Sequence, residues 1–172
     1  TQNKPNDFSN LRDQGACGFA TATDNGIWYA FTLQHATSYI TFMPYAGDGS
    51  SKTTLQKCIL TQITLTCDES NQGYFYFDEN GELDESKRPG KGRYTRTIYC
   101  ATSTSETGFS IPGSKDEAKD NAAIMVMPPG VYHNVEVAYT LYDPIVQTKG
   151  VFKKLDMTNR TFHFFFTWFV RD

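Results

Sequence analysis

Eight short apolar runs, each closed by turn residues, dominate this chain. IWYAFTL (27–33), SYITFMPY (38–45), CILTQITLTC (58–67), GYFYFD (73–78), YTRTIYCAT (94–102), AAIMVM (122–127), NVEVAYTLYD (134–143) and RTFHFFFTWFV (160–170) are rich in β-branched and aromatic residues, which suit a pleated, half-buried surface. AGDGSS (46–51), DENG (78–81), RPGKG (88–92), TSTSETG (102–108), MPPG (127–130) and YDP (142–144) punctuate them. About eight strands is the count of an antiparallel sandwich or barrel. Only SKDEAKDN (114–121) reads as helical, because Ser114 with Glu117 three residues later forms a capping box. At most one short helical turn is therefore expected on an all-β domain.

Alternation assigns faces. In 58–67, Ile59, Ile63 and Leu65 share one face with Thr61, while Gln62, Thr64 and Thr66 point the other way. In 134–143, Val135, Val137, Tyr139 and Leu141 oppose Glu136 and Thr140. The last run differs: Phe162, Phe164, Phe166, Trp168 and Val170 line one face, with Phe165 and Phe169 on the other. That pattern predicts cover on both sides, as a central strand or at a subunit interface. The stretch YFYFDENGEL (74–83) sets four aromatics directly against a polar turn.

Charge and composition narrow the function classes. A formal net charge of −3 gives no electrostatic reason to expect nucleic acid as a partner. No apolar run approaches the ~18–20 residues of a membrane span, so no membrane insertion is expected. Cys17, Cys58, Cys67 and Cys100 allow two disulfides without requiring any. No Cys-x-x-Cys pair exists and His35, His133 and His163 lie far apart, so neither metal nor cofactor is expected. Asn159-Arg160-Thr161 is a glycosylation sequon that matters only in a secretory compartment. There is no Gly-x-Ser-x-Gly elbow, and RDQGACGF (12–19) lacks the Cys-Trp of thiol-protease nucleophile signatures. The expectation is a binding protein, not an enzyme, with no catalytic residues to name.

Lys87, Arg88, Lys91, Arg93 and Arg96 follow an acidic stretch and fall within ten residues. A basic loop punctuated by Gly and Pro can hold a carboxylate-bearing ligand, with arginine supplying forked donors. Lys87, Arg88, Lys91 and Arg93 are the receptor-binding candidates. The plain alternative is a solvated loop whose opposite charges balance locally.

The order of the motifs resembles an adenovirus fibre head. The residues that carry the likeness are Phe31, Thr32 and Leu33, then Ile40 and Thr41, then Gly47, Asp48, Ser50 and Ser51, and then Phe77, Asp78, Asn80, Gly81 and Leu83. GFSIPGSKDEAKDNAAIMVM (108–127) and FFFTWFV (164–170) resemble later segments of that family, so the likeness covers roughly residues 24–170. Two departures mark a divergent member: the Thr-Leu-Trp-Thr shaft junction is absent, and KTTLQKCILTQITLTC (52–67) reads as an extra segment or added hairpin.

The resemblance implies a jelly-roll-like β-sandwich head over residues 21–172, preceded by a linker or stalk end at 1–20. It implies a homotrimer at the tip of a virion spike, made in the host cytosol and assembled in the nucleus, that attaches to a host-cell receptor, either a protein or a sialylated glycan. In that setting all four thiols are expected to be reduced. Phe75 and Phe77 are then expected to face the core, and Tyr74 and Tyr76 the other side of the sheet or a neighbouring subunit. Two alternatives come from other classes. NGIWY (25–29) resembles the start of a lipocalin, a secreted carrier of a small apolar ligand, and another secreted jelly-roll binding module is the second.

Overall fold

The computed structural model describes residues 1–47, 49–100, 108–145, 148–157 and 162–164, those from 148 onward by their backbone alone. The chain runs through β1 (Gly18–Phe19), β2 (Thr23–Asp24), β3 (Tyr29–Ala30), β4 (Gln34–His35), β5 (Ser38–Phe42), α1 (Lys52–Lys57) and β6 (Ile59–Cys67). It continues through β7 (Tyr94–Tyr99), β8 (Phe109–Ser110), α2 (Lys115–Ala118) and β9 (Ala123–Met127). β10 (Gly130–Tyr132), β11 (Val135–Asp143), β12 (Thr148–Met157) and β13 (Phe162–Phe164) follow. The protein is all-β, and every strand pairing is antiparallel.

The main sheet has the order β12-β11-β6-β7, with β8 also paired to β6. Its inner face shares one core with the β5–β9 pair: Ile63, Leu65, Ile98, Val135 and Val137 pack with Phe42, Met125 and Met127. The two layers together match a sandwich. Fully buried Tyr132 closes one end of this core and donates its hydroxyl to Pro128 O (2.6 Å). No helix among the described residues is long and apolar enough to cross a membrane.

The face assignment in 58–67 needs one correction. Ile63, Leu65 and Cys67 are buried as alternation requires, but further back Leu60 is buried and Ile59 is not. The register explains it: Thr140 lies opposite Gln62 and Leu141 opposite Leu60, so Thr61 is an extra residue, a β-bulge. Its backbone and side chain are still used, because Thr61 O accepts from Cys100 N (2.9 Å) and Thr61 Oγ1 donates to Thr140 O (3.1 Å).

Helical content also differs from expectation. Half of the expected capping box forms at α2: Glu117 N donates to Ser114 Oγ (3.3 Å), while Glu117 Oε2 accepts from Gly113 N (2.9 Å), one residue before the N-cap. A second helix, α1, occupies the stretch expected as part of an added hairpin. Its start carries no capping side-chain bond, and Thr53 and Thr54 dilute its helical signal. β12 carries Lys149, Lys153 and Lys154 and lies at the sheet edge, where lysine commonly blocks further pairing. That composition hides the strand from a search for apolar runs. In GYFYFD only an isolated bridge forms, between Phe77 and Leu83. Phe165, Phe166, Trp168, Phe169 and Val170, and the Asn159 sequon, lie outside the described residues.

The first sixteen residues are tied into the body. Gln2 is fully buried, and its N–H donates to Tyr99 O (2.8 Å) at the end of β7. The edge of β9 that faces away from β5 is satisfied by two glutamine side chains. Gln2 donates to Ala122 O (3.0 Å) and accepts from Ile124 N (2.8 Å). Gln14 donates to Ile124 O (3.1 Å) and accepts from Val126 N (3.2 Å). Two primary amides thus stand in for a neighbouring strand, which is how an otherwise open, buried edge avoids orphaned polar groups. All five residues of β9 are buried as a result.

Candidate functional site

The sequence-selected basic residues do not form one surface. Arg88 turns inward: its side chain is only 7% exposed, it donates to Ser70 O (3.0 Å) and Glu85 Oε1 (2.9 Å), and its guanidinium lies 5.0 Å from the Tyr132 ring centre. Arg93 donates to Asn134 O (2.7 Å) and Asp68 Oδ1 (3.3 Å), joining the two ends of a polar seam. Lys87 pairs with Asp84 (2.9 Å) over the Tyr76 ring, and the hydrogen bond to Asp84 raises its pKa. Lys91 forms no ion pair among the described residues and is exposed. Local charge balance, foreseen as the plain alternative, describes Lys87, Arg88 and Arg93.

The fifth cation of the same run stands elsewhere. Arg96, on β7, lines a cleft of about 200 Å³ with Gln14, Gly15, Cys17, Thr37, Tyr74, Phe75, Phe77, Met127 and Pro128 among its walls. Arg96 is held from both sides, donating through Nη1 to Asn71 O (2.7 Å) and through Nη2 to Gln14 O. Those two bonds use two of the five guanidinium donors. Burial pulls its pKa below the ordinary arginine value, yet a guanidinium stays charged at neutral pH.

Three further features shape the cleft. Thr37 is 6% exposed, and its buried hydroxyl has no partner among the described residues. A buried hydroxyl left unpaired costs free energy that a ligand can return. Phe75 and Phe77 are half-buried against the cleft, Tyr74, 89% exposed, stands at its rim, and Tyr76 is exposed outside it. The division expected for YFYF fails at Tyr74, which shares the cleft with Phe75 and Phe77, and these two wall that cleft without joining the main core. Among the described residues no carboxylate lines the cleft, and Arg96 is its single charged group.

The turn that follows is organised by Asp78. Its Oδ1 accepts from Asn80 N (2.9 Å) and Glu82 N (2.9 Å), and these bonds, Glu82 first, lower its pKa. This sets the polar rim beside the aromatic wall. All four cysteines are free thiols: Cys17 is exposed beside the cleft, and Cys58, Cys67 and Cys100 are buried. Burial raises the Cys17 pKa, which disfavours the thiolate a nucleophile needs.

Thr37 and Gln14 carry no sequence signal of their own, because a lone Thr or Gln at a strand start or in a turn is ordinary. Arg96 was visible in the basic run. Its distinction from Arg93 is one of strand position, since residues three apart in or beside a strand point to opposite faces. No protein-family model, curated protein or solved structure matches this chain.

Proposed function

We propose that this chain is the attachment head of a viral spike, a homotrimer at the virion surface that binds a sialylated, carboxylate-bearing glycan on the host cell. The observation that carries the reading is the cleft around Arg96, where, among the described residues, one guanidinium and one unpaired hydroxyl sit between aromatic walls with no opposing carboxylate. A sialylated sugar offers one carboxylate for arginine, hydroxyls for Thr37 and an apolar ring face for the aromatics. A volume of about 200 Å³ suits a single sugar unit. The motif order that resembles adenovirus fibre heads supports the same reading. The chemistry of this reading is recognition: burial disfavours the Cys17 thiolate, and among the described residues no carboxylate or histidine lines the cleft for acid–base work.

Saturation-transfer NMR with a sialylated trisaccharide, and with its neutral counterpart lacking sialic acid, tests this. The sialylated sugar is expected to bind and the neutral one to bind at least roughly tenfold more weakly, the worth of one charge-assisted hydrogen bond. Thr37→Val and Tyr74→Ala are each expected to weaken binding while the fold persists. Equal binding of both sugars, or of neither, overturns the glycan reading.

A further inference from the structure

The pairs Gly18–His35, Phe19–Gln34, Thr23–Ala30 and Asp24–Tyr29 share one register, so residues 18–35 run as a hairpin arm paired at its base (β1–β4) and near its tip (β2–β3). Its tip is a two-residue loop, with Asn25 N donating to Trp28 O (3.0 Å) and Gly26 at φ +80°. Ile27 sits in that loop, and beyond it the shared register places Tyr29, Phe31 and Leu33 on one side. In that order the four are 88%, 69%, 67% and 61% exposed. An apolar row of period two is the pattern of a covered face, and a lone two-stranded hairpin is at best marginally stable in water.

The row exposes on the order of 500 Å², taking ~150–250 Å² for a large side chain. That is over half of the ~800 Å² each partner gives to a standard interface. Across the ladder, the same register sets Ala22 opposite Phe31 and Ala20 opposite Leu33. One strand of this face is therefore a row of large side chains and the other a row of small ones. The nearest charge, Asp24, is occupied by Gly26 N (2.7 Å). A cyclic axis along the arm, two-fold or three-fold, lays the large row of one copy beside the small row of the next. The face is complementary to itself and carries a single carboxylate, Asp24, beside its tip, which suits a copy of the same chain.

We infer that the Ile27–Leu33 face of the arm packs against the arm of a second copy of this chain and forms the clasp between protomers. This rests on the oligomeric reading of the head and names the surface that joins its chains. The test is the solution mass of the 172-residue protein, by light scattering over a dilution series, for the wild type, for Phe31→Asp with Leu33→Asp, and for Thr32→Glu on the opposite face. The wild type and Thr32→Glu are expected at the same multiple of 19.4 kDa, and the double variant at the monomer mass. Hydrogen exchange on the wild type reads the clasp without any substitution: amides of residues 27–33 are expected to be protected at high concentration and to lose protection on dilution. A double variant that keeps the wild-type mass, or arm amides that exchange freely within an oligomer, overturns the clasp and leaves the oligomeric reading standing. A wild type that is monomeric throughout, while still binding the sialylated sugar, overturns the clasp and the trimer together and leaves the glycan reading intact.

Discussion

The ring of Phe19 lies directly over the backbone of Gly81: a β-carbon at position 81 would fall 1.9 Å from Phe19 Cδ1 and 2.0 Å from Cε1. Gly81 also holds φ +78°, a region that side chains other than glycine rarely adopt. This contact seats the base of the 18–35 arm on the Asp78–Gly81 turn. Glycine is required there both by its own backbone and by its neighbour.

Gly81→Ala must therefore strain the turn and push the Phe19 ring away. The expected cost is about 1–3 kcal/mol, read from urea unfolding. Limited proteolysis is expected to cut within residues 20–33 sooner than in the wild type. An unchanged unfolding midpoint would refute the packing described for this pair.

The glutamine edge of β9 predicts an asymmetric response to substitution. Gln2→Ala removes the acceptor for Ile124 N (2.8 Å) and the donor to Ala122 O (3.0 Å) at a site with no exposed surface. The expected loss is about 1–3 kcal/mol, the cost of leaving a buried donor unpaired. Gln2→Glu keeps the shape but buries a carboxylate and takes away the donor, so it is expected to be worse still. Equal stability of the three proteins in denaturant titration would show that the amides do not substitute for a strand.

Arg88 and Lys91 separate structural from free cations within the same loop. Arg88→Ala loses the bond to Ser70 O and the contact with Tyr132, and is expected to lower stability by about 1–3 kcal/mol without weakening glycan binding. Lys91→Ala is expected to change stability by less than about 0.5 kcal/mol. Loss of glycan binding in Lys91→Ala, with the fold intact, would return the basic loop to the binding site.

Alkaline pH is expected to destabilise the protein over a defined window. Burial raises the Cys100 thiol from 9.0 to about 12, and it also raises the Cys58 and Cys67 thiols and the Tyr132 hydroxyl. A raised folded pKa means that the unfolded chain loses its proton first. The contribution is fully present below pH 9 and is lost as pH climbs toward 12. Urea midpoints should be flat near neutrality and fall through that range. Native thiol labelling at neutral pH should modify Cys17 alone, with the other three reacting only on unfolding.

Local patterns in the sequence determined the class of fold. Alternation in 58–67 and 134–143 identified two central strands of the main sheet, and the Ser114/Glu117 pair located α2. Each of these is a nearest-neighbour property, fixed by backbone period or by a capping bond a few residues long. The tertiary structure alone decided what each face meets. A bulge at Thr61 exchanged Ile59 for Leu60 in the core, because register depends on the partner strand β11. Arg96 entered a cleft while Arg88 and Arg93 bonded within the protein, because their partners, Ser70, Asn71, Gln14 and Asn134, come from distant parts of the chain. The row from Ile27 to Leu33 carries the alternation of a buried strand yet stands exposed, since alternation says which side chains share a face and nothing about what covers it.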